Sequence, residues 1–91
     1  MIEVKGNNIY RGVERIGWLA GNYVYDQKGK KLGYFTADTV YDIKGVRLAH
    51  IEGNYVDTGG RRMDLENELR DIAAVGLSDA ARIAITTFLG E

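Results

Sequence analysis

The chain has no cysteine and no proline, and it has one histidine, one serine and one tryptophan among 91 residues. Without cysteine, disulfides and thiolate metal sites are excluded. With a single histidine, the paired-imidazole spacings of zinc sites are excluded as well. The one serine, Ser78, stands where a helix cap is expected. The threonines Thr36, Thr39, Thr58, Thr86 and Thr87 have no neighbouring base in sequence, so no activated nucleophile is visible. No apolar run approaches the ~20 residues of a membrane-spanning helix. The opening MIEVKGNNIYRG lacks the apolar core of a signal peptide. A cytoplasmic location is the expectation.

An excess of one charge is also missing. Twelve basic residues face thirteen acidic ones, for a formal charge of −1. That balance gives no electrostatic reason to expect nucleic acid or an anionic membrane as partner. With 45% hydrophobic residues the composition is that of one small globular domain. What is abundant is glycine, at twelve, and tyrosine, at six. Tyrosine favours a pleated surface, and glycine without proline points to hairpins whose turns need positive φ.

The segment VYDQKGKKLG at 24–33 returns as VYDIKGVRLA at 40–49. A shortened copy, YVDTGGRRMD, occupies 55–64, and a degenerate one, IYRGVERIG, occupies 9–17. In this alignment the shortened copy lacks one residue. Each copy reads as a β-hairpin: a short arm rich in Val, Ile and Tyr, a turn, then a second arm. In Asp-x-Lys-Gly the carboxylate of Asp26 or Asp42 can accept the backbone N–H two residues on, and Gly29 or Gly45 supplies the left-handed residue. The second arms predict an apolar column, Ile16, Leu32, Leu48 and Met63, facing the core together with Trp18, Tyr34, His50 and Leu65. The opposite face then carries the basic column Arg15, Lys31, Arg47 and Arg62, the small residues Gly17, Gly33 and Ala49, and Leu19, Phe35 and Ile51. Small residues in a column mark crowding.

The phrase Tyr-Asp-x-x-Gly-x-x-Leu-Gly, carried by VYDQKGKKLGYF and VYDIKGVRLAHI at this pitch, resembles the bacterial 4-fold β-flower domains over roughly residues 7–66. RHS/YD repeats use a related phrase at a longer pitch, and PRC-barrel domains use one without four short copies. Arg11 and Gly59 depart from the pattern. The resemblance implies four hairpins in a pseudo-fourfold flower, and it implies no activity and no catalytic residues.

From Asp64 the pattern turns helical. Asp64 is placed to cap a helix containing Leu65, Leu69, Ile72 and Ala73, with a stop at Gly76. Ser78 is placed to cap a second helix running to Gly90. Within it RIAITTF is ambiguous between helix and strand, and the Asp-Ala-Ala-Arg opening favours helix. The expected class is therefore mainly β: a four-hairpin repeat domain over 1–64, then one or two C-terminal α-helices over 65–91, packed on that domain or on a partner subunit.

The function read from these residues is a non-enzymatic binding or protein-interaction module with no metal or cofactor. It is expected to be a homo-oligomer through the apolar stripe of the last helix (Ile85, Phe88, Leu89), or to bind another protein. The alternative is a small-ligand or anion-binding protein, with hydrolytic chemistry a possibility. It would use Arg15, Lys31, Arg47 and Arg62 with His50, Trp18 and Tyr34. The two readings differ in whether the basic column points to a shared axis or to bulk water.

Overall fold

A computed structural model of the protein describes residues 1–90. Ten strands form one sheet: β1 (Ile2–Lys5), β2 (Asn8–Arg11), β3 (Glu14–Ala20), β4 (Tyr23–Asp26), β5 (Lys31–Phe35), β6 (Thr39–Asp42), β7 (Arg47–Glu52), β8 (Tyr55–Thr58), β9 (Arg61–Asp64) and β10 (Ile72–Ala73). Strands β1 to β9 run as a continuous antiparallel meander, and β10 returns to pair in parallel with β1. Two helices complete the chain, α1 (Leu65–Glu68) and α2 (Asp79–Leu89). The sheet is open, ending at β10 and β9. Nine strand spacings laid flat would span about 43 Å, yet the longest dimension of the molecule is 33 Å. The sheet must therefore curl, and it curls around α2, which contacts β4, β5, β6 and β7.

The repeat is visible in the hydrogen bonds. Leu19 N–H donates to Asn7 O at 2.8 Å, Phe35 to Asn22 O at 3.0 Å, Ile51 to Asp38 O at 2.7 Å and Leu65 to Asn54 O at 2.9 Å. In each case a second arm reaches back to the turn that opened its copy. Within copies, Asp26 Oδ1 accepts from the Lys28 and Lys30 N–H groups, and Asp42 Oδ1 from those of Lys44 and Val46, all at 2.9 Å. Gly29 and Gly45 adopt φ of 86° and 87°. These two turns are built as the sequence predicts.

The facing of the second arms is not. Val24 pairs with Gly33 but Tyr25 with Lys31, so Leu32 is an extra residue. Ile16 and Leu48 are extra in the same way. A bulge residue points to the same side as its neighbour, which breaks strict alternation. As a result Gly17, Gly33, Ala49, Leu19 and Phe35 face the core, joined by Ile9, Val24, Val40 and Val56 from the first arms. Ile16 and Leu32 turn in beside them. Trp18, Tyr34 and His50 face away from α2, half-buried. The shortened copy has no bulge: Val56 pairs with Met63 and Thr58 with Arg61 across Gly59-Gly60. It lacks two residues relative to its neighbours, one in the turn and one at the bulge. That places Met63 at the register of Gly33 and Ala49, and Leu65 with Leu19 and Phe35 rather than with Trp18.

In the C-terminal third, Asp64 caps α1 by accepting from Glu66 N, as expected, but the helix ends at Glu68 and Ile72-Ala73 form β10. Ile72 is buried by pairing beside Ile2, and that edge contact wins over a helical continuation. RIAITTF is helical within α2. Ser78 Oγ accepts from Ala81 N, and the Thr86 and Thr87 hydroxyls donate to the carbonyls of Arg82 and Ile83. These bonds satisfy groups that would otherwise compete with the helix. Among the described residues, no helix is long and apolar enough to cross a membrane.

Candidate functional site

The outer face of the sheet, opposite α2, carries the residues singled out from the sequence. Its order follows from the pairing. Asn8, Trp18, Tyr25 and Lys31 lie in one cross-strand row. Tyr23, Tyr34, Tyr41 and Arg47 lie in the next. Thr39, His50, Asp57 and Arg62 form the third. The bulges bring Arg15, Lys31 and Arg47 onto the same face as Trp18, Tyr34 and His50, not the opposite one. The basic groups do not converge on an axis; they are spread along the face, Arg15, Lys31 and Arg62 each lying over a ring.

In the first row the Trp18 and Tyr25 rings are stacked, 5.7 Å apart and 10° from parallel, with the Arg15 guanidinium 4.5 Å from the Trp18 ring centre. Lys31 Nζ lies 3.9 Å from the Tyr23 ring centre and 5.9 Å from that of Tyr25. In the second row Tyr34 and Tyr41 stack at 5.0 Å, and Tyr23 tilts against Tyr34 at 5.7 Å. Cross-strand aromatic pairs and cations over rings each contribute about 0.5–1 kcal/mol at such half-exposed positions. They therefore stabilise the pairing of the strands as well as shaping the surface.

The third row replaces rings with polar groups. Thr39 Oγ1 lies 2.9 Å from Asp38 Oδ1 and 3.2 Å from His50 Nδ1. The Thr39 hydroxyl donates to the Asp38 carboxylate, and its contact with His50 is completed in the tautomer whose Nδ1–H donates to Thr39. This is the reverse of the arrangement in which a histidine takes a hydroxyl proton. The lone pair of a neutral His50 then sits on Nε2. Arg62 stands 4.8 Å from the Tyr55 ring centre and 3.6 Å from Glu52, on exposed side chains. Among the described residues, no group of three His, Asp or Glu side chains is placed to hold a metal ion.

The inner face uses its residues on itself. Ile85 is wholly buried beneath the sheet, and Phe88 and Leu89 are half-buried. A methyl group on Gly17 would lie 2.9 Å from Leu89 Cδ1, and one on Gly33 would run into the Phe88 ring. The crowding predicted from the small-residue column is real, and it has two sources: the Tyr25 and Tyr41 carbonyls of the next copy, which a methyl group on Gly17 or Gly33 would also meet, and the side chains of α2. Sequence reasoning missed the second because nothing in a strand pattern says which helix side chain will lie over it.

A cavity of about 470 Å³ lies where β1, α1 and the end of α2 meet, lined by Met1, Arg11, Asn67, Glu68, Asp71 and Thr86 among others. None of Arg15, Trp18, Lys31, Tyr34, Arg47, His50 and Arg62 lines it. Arg11 there donates to Leu89 O at 2.5 Å, tying the end of α2 to the second strand. Comparison of the chain with protein-family models, with curated proteins and with solved structures returns no match.

Proposed function

We propose that the protein is a non-enzymatic binding module whose four hairpins surround α2 as a pseudo-fourfold flower, with the outer face of the sheet as its binding surface. The flower arrangement is supported by the four equivalent amide-to-turn hydrogen bonds and by the curl that the dimensions require. The binding role rests on one observation. Three stacked or tilted aromatic pairs, and Lys5, Arg15, Lys31 and Arg62 over rings, are held on the outside of a small domain whose apolar core is complete without them. Stability alone asks for burial on the inner face. Rings and cations fixed in advance on the outer face lose little conformational freedom when a partner arrives.

Native mass spectrometry of protein purified gently from its own host tests this reading. The expected result is a retained partner, a second copy or an adduct that is lost in Arg47→Glu and kept in Arg70→Glu, a substitution away from the face. Retention that is indifferent to Arg47 would move the binding surface elsewhere.

A further inference from the structure

The near-neutral total charge conceals a division along the chain. Residues 11–49 carry seven basic side chains against four acidic ones, while residues 50–91 carry four against eight. The outer face sharpens this. The outward positions of β2 to β6 hold Arg15, Lys31, Trp18 and six tyrosine or threonine side chains, with Arg47 next on β7, and none of them is a carboxylate. Asp26 and Asp42 pair with Gly17 and Gly33 and are occupied by their own turns. The acids of this face stand at its margins: Glu3 on β1, Asp38 in the turn before β6, where it accepts from Thr39, and Glu52, Asp57 and Asp64 beyond β6.

Basic groups alternate with planar rings across this central area. The Trp18–Tyr25 and Tyr34–Tyr41 pairs are two strands and one two-residue step apart, about 12 Å. They differ in one respect: Arg15 is folded onto Trp18 and Lys31 lies between Tyr25 and Tyr23, closer to Tyr23, whereas no cation lies over Tyr34 or Tyr41 among the described residues. Arg47, directly across from Tyr41, is exposed and holds no ring or carboxylate in the same set. A polyanion whose units carry flat apolar faces matches this surface at both levels, charge to charge and ring to ring. A carboxylate-bearing peptide would use the cations and leave the rings idle.

We propose that the Trp18–Tyr25 and Tyr34–Tyr41 rows, with Arg15, Lys31 and Arg47, form a binding surface for single-stranded nucleic acid. Bases stack on the aromatic pairs while phosphates engage the three cations. The proposal rests on the outer-face reading above and adds the ligand class to it.

Trp18, the only tryptophan, reports directly on the site. Titration of the full chain with short oligo-dT and oligo-U should quench its fluorescence. With three phosphates neutralised, the logarithm of the binding constant should fall against the logarithm of salt concentration with a slope of about −2. Tyr41→Ala should weaken binding by about 5-fold to 100-fold and Tyr41→Phe should restore it, since stacking needs the ring and not the hydroxyl. Arg47→Glu, at an exposed position, gives a second variant that folding cannot confuse. Binding that heparin matches and that is indifferent to Tyr41→Ala would overturn the proposal, leaving a cationic patch without base stacking. Quenching by an uncharged oligosaccharide but not by either oligonucleotide would overturn it too, as would no response to any of these probes. In these last cases a partner retained in native mass spectrometry and lost in Arg47→Glu would still uphold the outer face as a binding surface.

Discussion

Gly33 occupies a place where a methyl group would meet both the Phe88 ring and the Tyr41 carbonyl oxygen. One of these neighbours is a side chain and the other is backbone, and they can be separated experimentally. Gly33→Ala should lower the stability measured by urea unfolding by about 1–3 kcal/mol, the usual cost of overpacking. In a Phe88→Ala background the penalty should shrink without vanishing, because the carbonyl remains. A penalty identical in both backgrounds would place Phe88 away from Gly33. Gly45 makes a different demand. A Cβ there would make only ordinary contact, 3.5 Å from the Tyr34 hydroxyl oxygen, but the φ of 87° is left-handed. Gly45→Val should cost about 1–2 kcal/mol through backbone strain alone. An unchanged midpoint in thermal or urea unfolding would sink that turn assignment. By contrast Val75, 99% exposed, should accept Asp with no measurable change.

At the level of elements, α2 is the component that closes the core. Ala80, Ala81, Ile83, Ala84 and Ile85 are all buried against the sheet. Ile85→Ala should cost about 2–5 kcal/mol, and Ser78→Ala about 1 kcal/mol through the lost cap. Both are read from unfolding midpoints, and a neutral Ile85→Ala would mean the helix does not rest on the sheet. The elements also show what a sequence can disclose. The hairpins, the Asp26 and Asp42 turns and both helix caps follow from local chemistry, where the interacting groups lie within four residues of each other. The facing of the second arms was hidden, because one bulge per copy at Ile16, Leu32 and Leu48 shifts the alternation by a residue and leaves no mark in composition. The same shift put Trp18, Tyr34 and His50 on the wrong side and separated them from the basic residues they accompany. The pairing of Ile72 with Ile2 was equally illegible, since it joins residues seventy positions apart.

For the molecule as a whole, one curled sheet has two faces with opposite uses. The inner face is apolar, glycine-lined and filled by α2. The outer face is aromatic and basic at its centre and acidic at the margin, a division that the formal charge of −1 averages away. Net charge is an argument about the far field of a protein, and a partner at contact distance meets the local pattern instead.

The most direct test of this two-faced arrangement is collisional quenching of Trp18 by iodide and by caesium at low salt. With Trp18 on the outer face beside the Arg15 guanidinium, iodide should quench more strongly than caesium, and Arg15→Glu should reverse the order. Emission that neither ion quenches would place Trp18 in the core and contradict the account.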